Sequence, residues 1–267
     1  MEKELLEFVW ERYNKKFPKN SKAQFKRDFA DFEKLPVFKA NENIHEIINK
    51  KQNVDGDPDA SEDYILPEDL ITPETHWIMR MVTQYYITKA FTAMKIDLND
   101  PNINEQSLGK GTPGRIVKMW CGDNLDDTTE LGSGRWNKEP YISRFPNTDE
   151  NHSIITKEVD VVSCCSHHFL PFSTYDGGTA IVEYIPGKYV LGISKLQRFV
   201  TWASRRFWLQ EDLTQYIGKT ISRIAETDDV HIKLTGLVHG CEKFRGAQAK
   251  NGSLSTEYKS GYFNKIY

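Results

Sequence analysis

The chain has 267 residues, enough for one large domain or a core domain with an appendage, and its 39% apolar and 27% charged residues are the balance of a water-soluble globular protein. No apolar run approaches the roughly 20 residues that cross a bilayer, and the opening Met1-Glu2-Lys3-Glu4 has no apolar signal core, so the expectation is a cytoplasmic protein with reduced thiols and no membrane partner. A net charge of -3 gives no broad basic surface for nucleic acid; an anionic ligand must be held by a local cluster.

In chain order, residues 2–16 and 21–35 carry helical apolar spacing, with Leu5, Phe8, Val9 and Tyr13 on one face and Phe25, Phe29 and Phe32 on another. They read as a separate N-terminal appendage. The acidic, Gly- and Pro-punctuated stretch at residues 52–59 reads as a linker, which sets a boundary near Leu70 between residues 1–70 and residues 71–267. Thr72-Pro73-Glu74-Thr75 is a capped helix start leading to Trp77, Met81, Tyr85 and Thr88, and a second helix follows over residues 112–120. Residues 121–151, rich in Gly, Asp, Asn and Pro, read as irregular.

From Ile154 the pattern becomes strands, a helix pair, then strands again. Residues 154–165, 179–185, 189–193 and 230–241 alternate as strands. Ser194 is a natural N-cap for a helix carrying Leu196, Phe199, Val200, Ala203 and Phe207, and the next helix carries Leu213, Ile217, Ile221 and Ile224. Strands flanking a helix pair point to the α+β class, an antiparallel sheet with helices on one face, preceded here by the N-terminal helices.

The chemistry concentrates in Ser163-Cys164-Cys165-Ser166-His167-His168 and, far downstream, His239-Gly240-Cys241. Zinc favours thiolate and imidazole donors, and a catalytic site keeps three protein ligands so that water can take the fourth position. Cys164 and Cys165 point apart along a strand; Cys165 is the better donor because Cys-x-x-His lets a turn bring both groups to one ion. His167 and His168 should diverge, one to the metal and one to the substrate. Period two places His239 and Cys241 on one face. Two plainer readings are buried apolar cysteines and a structural zinc, but structural sites are usually closed by four ligands, and neither explains the additional histidines.

Lys195 and Arg198 lie three apart near a helix N-terminus, where backbone N–H groups favour anions, and Arg245 follows the second zinc motif, so a phosphate-bearing substrate is the natural inference. Basic residues on helix surfaces are otherwise usually solvated. Glu211 is either a helix N-terminal charge or an acceptor for a guanine edge.

These residues resemble the GTP cyclohydrolase I family. The marks are Thr112-Pro113-x-Arg115-Ile116-x-Lys118-Met119, Ser163-x-Cys165-x-His167-His168-x-x-Pro171-Phe172, Tyr184-Ile185-Pro186, Gly192-Ile193-Ser194-Lys195-x-x-Arg198, Gln210-Glu211-x-Leu213-Thr214 and His239-x-Cys241-x-x-x-Arg245-Gly246. They stand in family order from about Thr72 to the C-terminus and leave the first 70 or so residues uncovered. The resemblance implies the tunnelling fold, a toroidal homo-oligomer with active sites shared between subunits, and conversion of GTP to dihydroneopterin triphosphate with release of formate. It implies Zn2+ on Cys165, His168 and Cys241, with His239 as proton donor to the guanine imidazole and His167 and Ser194 acting on the ribose. Glu211 with Gln210 would grip the guanine, and Arg115, Lys195, Arg198 and Arg245 the triphosphate.

The chain departs from the family pattern at Ser166, where members usually carry Glu, at Gly240, where a larger residue is usual, and at Ala247, often Val. The loss of a carboxylate beside the metal bears on water acidity. Two other functions are weighed: the related tunnelling-fold deazapurine nitrile reductase, which needs a nucleophilic Cys, NADPH and no zinc, and a purine-binding or assembly module with a structural zinc. The zinc triad and the cationic cluster argue against the reductase; a filled fourth coordination position would mark the module.

Overall fold

The computed structural model describes residues 3–35, 71–104, 111–150 and 152–266. The expected linker at residues 52–59 and the boundary at Leu70 lie outside them. The described residues form two compact units, the first ending at Trp136 and the second beginning at Asn137.

The first unit is helical: α1 (Lys3–Lys16), α2 (Lys22–Lys34), α3 (Pro73–Ala93) and α4 (Thr112–Cys121). Each start follows from its cap. The Ser21 hydroxyl accepts from the Gln24 N–H at 3.1 Å, and Thr72 and Thr75 cap each other reciprocally across Pro73, the first residue of α3. The apolar faces legible in the sequence do pack, but onto a shared surface: Leu5, Val9, Tyr13, Phe25 and Phe29 bury with Ile78, Met81 and Tyr85 of α3. At about 1.5–3 kcal/mol per buried large apolar side chain, two short helices gain more from covering a third than from standing alone. Thus α1 and α2 are not a body of their own; they share one core with the first helix beyond residue 70.

Tyr13, fully buried, hydrogen-bonds Asp28 and receives the Asn20 amide at 2.8 Å; burial pushes its phenol up to about 12. His76 of α3 ties on α4 by a 2.8 Å hydrogen bond from Nε2–H to the Cys121 carbonyl, and burial lowers its pKa to about 4.

The second unit is α+β. In order it holds β1 (Arg144–Pro146), β2 (Ile155–Val159), β3 (Val162–Cys165), β4 (Pro171–Ser173), β5 (Thr179–Tyr184), β6 (Tyr189–Leu191), α5 (Ile193–Ser204), β7 (Phe207–Trp208), α6 (Gln210–Ala225), β8 (Val230–His239), α7 (Gly240–Lys243), β9 (Leu254–Lys259) and α8 (Phe263–Ile266). The seven-stranded sheet runs β2-β5-β8-β4-β3-β7, with β9 also on β8, and β1 pairs with β6 apart from it. All pairings are antiparallel except the two-residue parallel match of β3 with β7. Leu196, Phe199, Val200 and Ala203 of α5 and Leu213, Ile217, Ile221 and Ile224 of α6 are buried, as their spacing predicts, with Val182, Tyr184, Ile232 and Leu234 of the sheet.

Three local expectations are corrected. The strand read over residues 154–165 is two strands, because Asp160 is clipped from both sides by Gln197: the Asp160 N–H donates to Oε1 at 2.9 Å and its carbonyl accepts from Nε2 at 3.2 Å. The two halves then pair with different neighbours, β2 with β5 and β3 with β4. Ser194 is not the N-cap of α5; Gly192 takes that place, its carbonyl accepting from Lys195 and Leu196, which leaves the Ser194 hydroxyl inside the exposed first turn. And β8 ends at His239, so Cys241 rides on a helical turn.

Candidate active site

The site is assembled at strand ends. Cys165 closes β3, where its N–H donates to the Leu170 carbonyl and its carbonyl accepts from Phe169, both at 2.8 Å, with Phe169 in the left-handed region at φ 53°. This tight turn carries Ser166, His167 and His168. His239 closes β8 opposite Phe172 of β4, and the helical turn that follows brings Cys241 back toward Cys165. The two sulfurs stand 4.0 Å apart, both thiols free, and a His239 ring nitrogen lies with them in a cluster spanning no more than 4.8 Å.

That spacing fits zinc. Two thiolates about 2.3 Å from one tetrahedral ion are about 3.8 Å apart, whereas a disulfide needs about 2.05 Å. Burial pushes the Cys241 thiol up, and its neighbour Cys165 adds to the shift, so two thiolates here call for a positive charge between them. Cys164, fully buried, has its thiol pushed up to about 12 by desolvation and takes no part in the cluster.

His239 is held on three sides. Its ring stacks on Phe172 at 4.5 Å and 7°, and its Nε2 lies 2.8 Å from the Oε1 of Gln210. The Gln210 amide nitrogen donates to the carbonyls of Leu254 at 3.2 Å and Leu234 at 3.4 Å, and it reaches the Thr256 hydroxyl at 3.0 Å. Two of these partners only accept, so the amide cannot be turned round, Oε1 must face the imidazole, and His239 must carry its proton on Nε2. Nδ1 is left as the nitrogen with an available lone pair. Burial lowers the His239 pKa, while the charges of Glu211 and Glu242 act in the opposite sense.

Other candidates are placed less closely. His167 and His168 are exposed on the turn, their rings 6.1 Å apart, and His168 Nε2 faces the Arg245 guanidinium rather than the thiols. Desolvation and that guanidinium lower the His168 pKa. Ser194, Lys195 and Arg198 occupy the first turns of α5, with the Lys195 ammonium 5.3 Å over the Tyr141 ring. Glu211 is exposed in the first turn of α6. Gln210, expected at the guanine, is 1% exposed and spent on His239 and the strands. Arg115 belongs to α4 of the other compact unit. Sequence reasoning missed the Gln210 bond to His239 and the Phe172 stack; both residues stood inside motifs that were read without that role.

The second unit is an α+β frame carrying a Cys/His/Cys cluster suited to a metal at the ends of its strands. Residues 88–266 match the family model described as GTP cyclohydrolase I. The chain is similar to the "GTP cyclohydrolase 1" of Shewanella sp. (strain ANA-3), 31% identical over 180 residues, covering 67% of this chain and 76% of that protein. It is likewise similar to the "GTP cyclohydrolase 1" of Wigglesworthia glossinidia brevipalpis, 32% identical over 193 residues, covering 72% and 79%. The chain belongs to the GTP cyclohydrolase I family and is an enzyme of that family.

Proposed function

We propose that the chain converts GTP to 7,8-dihydroneopterin triphosphate with release of formate, using zinc held at Cys165, Cys241 and a histidine. The observation that carries the reading is the 4.0 Å approach of the two sulfurs beside His239, on a chain of this family. When bound, zinc supplies Lewis acidity that makes water a nucleophile near neutral pH, here toward C8 of the guanine.

The residues then divide the remaining work. His239 first takes up a second proton on Nδ1, its Nε2–H staying with Gln210, and hands that proton to the guanine imidazole as C8 becomes tetrahedral. Glu211, with Gln210 behind it, accepts from the guanine N1–H and amino group. His167 and Ser194 serve ribose opening, for which the Ser194 hydroxyl is available because Gly192 does the capping. Lys195, Arg198, Arg245 and Arg115 hold the triphosphate. We propose that the catalytic part is residues 71–267, with residues 1–70 attached to it through the core that α1 and α2 share with α3, and that the enzyme works in the cytoplasm as a toroidal homo-oligomer with shared sites. Among the described residues, no helix is long and apolar enough to cross a membrane.

His168 is our third zinc ligand, which requires its ring to leave Arg245. The competing assignment is His239 itself, favoured by the observed cluster. The deciding experiment incubates the metal-quantified protein with GTP and follows formate and the oxidised, fluorescent neopterin together. Both products, lost on chelation and restored by zinc, are the expected result. A zinc-loaded protein that forms neither would overturn the reading in favour of a binding module. Zinc content of His168→Ala and His239→Ala separates the two ligand assignments, because only the true ligand's loss empties the site.

A further inference from the structure

The socket that holds Gln210 is completed by β9. Strands β8 and β9 pair Leu234 with Thr256 and Leu237 with Leu254, so between these pairs β8 carries one residue more than β9 and the register shifts. Gly236 takes up the extra length at φ 68°, in the left-handed region, and its N–H donates to the Ser255 hydroxyl at 2.9 Å. The carbonyls of Leu234 and Leu254 flank this bulge, and both accept from the Gln210 amide nitrogen. A bulge beside a site re-aims its groups, and this one turns two carbonyls toward a side chain of α6.

The third acceptor, the Thr256 hydroxyl, has its direction fixed as well. The Gln210 carbonyl can only accept, so the Thr214 hydroxyl, 2.8 Å away, gives its hydrogen there. A hydroxyl has one hydrogen, so in the 2.7 Å contact between Thr214 and Thr256 the donor is Thr256. Thr256 then offers only lone pairs to the Gln210 amide nitrogen 3.0 Å away. The donors close a ring: Gln210 amide to Thr256, Thr256 to Thr214, Thr214 back to the Gln210 main chain. Bonding from a helical threonine to the carbonyl four residues earlier is commonplace, so Thr214 alone would mean little. The contact from β9 gives that bond its consequence. One group stays outside the ring, Oε1 of Gln210, and it faces Nε2 of His239 at 2.8 Å.

We infer that Thr256 and Thr214 are positioning residues for His239: with the bulge they lock the Gln210 amide, and through it keep the imidazole proton on Nε2 and leave Nδ1 with the available lone pair. Both act through Gln210 rather than on the imidazole itself. For the work His239 does, this rests on the functional reading; for its tautomer it does not.

The test compares the zinc-loaded full chain with Thr256→Val, which keeps the branched shape and deletes the hydroxyl, and Thr256→Ser, which keeps the hydroxyl. Thr256→Val should lower kcat for formate release about tenfold with KM for GTP kept, and Thr256→Ser should restore it to within about twofold. Activity is paired with the 15N spectrum of histidine-labelled protein, in which His239 is identified by the signal missing from His239→Ala. Its Nε2–H should exchange with solvent about tenfold faster in Thr256→Val than in wild type or Thr256→Ser. Thr214→Val opens the same ring from the buried side of α6 and should give the same pair of changes, which decides the matter if Thr256→Val does not fold. Wild-type kcat and exchange in the valine variants overturn the inference. So does a lower kcat with unchanged exchange and a lowered unfolding temperature, which would make the hydroxyls structural only. A wild type that forms no formate removes the functional reading, while the exchange rates still decide the ring.

Discussion

Strand β8 carries a buried histidine near each end, and the two do different work. His231, fully buried, has Nδ1 3.0 Å from the Glu183 carboxylate on β5 and Nε2 3.8 Å from that of Glu257 on β9, with Lys233 and Lys259 alongside. His239 is buried to a similar degree but meets two thiols, an amide oxygen and a phenyl face. Burial lowers both pKa values. Burial and a shifted imidazole therefore do not mark a site; the partners do. Carboxylates and lysines inside a ladder neutralise one another and leave nothing to act on a substrate. Two thiols beside an imidazole that presents one lone pair are instead a donor set that could hold a metal ion.

The comparison breaks most readily at the thiols. Cys165→Ala should abolish formate release and leave the protein without stoichiometric zinc, as read by metal analysis; a fully loaded mutant would refute the ligand assignment. Next in size, His239→Ala should lower formate release by about 10²- to 10⁴-fold, the range for a general acid. Under the proposed assignment the zinc stays bound. If the metal leaves with the imidazole, His239 is a ligand and the proton must come from elsewhere.

Gln210→Leu should be milder, about 10- to 100-fold, as for removal of a group that orients a ligand or catalytic imidazole. The loss should fall on kcat with KM for GTP kept, since Gln210 touches His239 and not solvent. A rise in KM alone would return Gln210 to the guanine site. This residue shows how far the sequence could be read. Apolar periodicity was enough to find α1 to α6, because a helix face must be covered by something. It could not say that α1 and α2 would be covered by α3, since that depends on which apolar faces meet. The residues Cys165, Cys241 and His239 were recoverable from donor chemistry and spacing. The tautomer of His239 was not, because it depends on Leu234, Leu254 and Thr256, which are 24 to 46 positions from Gln210. The His168 ring likewise sits where a guanidinium 77 positions further along the chain reaches it.

The smallest expected effect is at the other end of β8. His231→Leu removes the imidazole between Glu183 and Glu257 but keeps Lys233 3.8 Å from Glu183, so the carboxylate retains a partner. The loss should be about 1–2 kcal/mol in stability, with formate release within about twofold of wild type. The pH dependence carries more information than the size. An imidazole whose folded pKa lies below its unfolded value of about 6.5 is protonated first in the unfolded chain, so it contributes stability above about pH 6.5 that is lost as the pH falls. His231 and His76 both act in this direction, and for His76 the loss runs from about 6.5 down to about 4. Urea midpoints at about pH 7.5 and about pH 5 should therefore fall more steeply for the wild type than for His231→Leu. Equal slopes would mean that Glu183 and Glu257 hold the folded imidazole near its unfolded pKa. An activity loss matching that of His239→Ala would erase the distinction between the two ends of the strand.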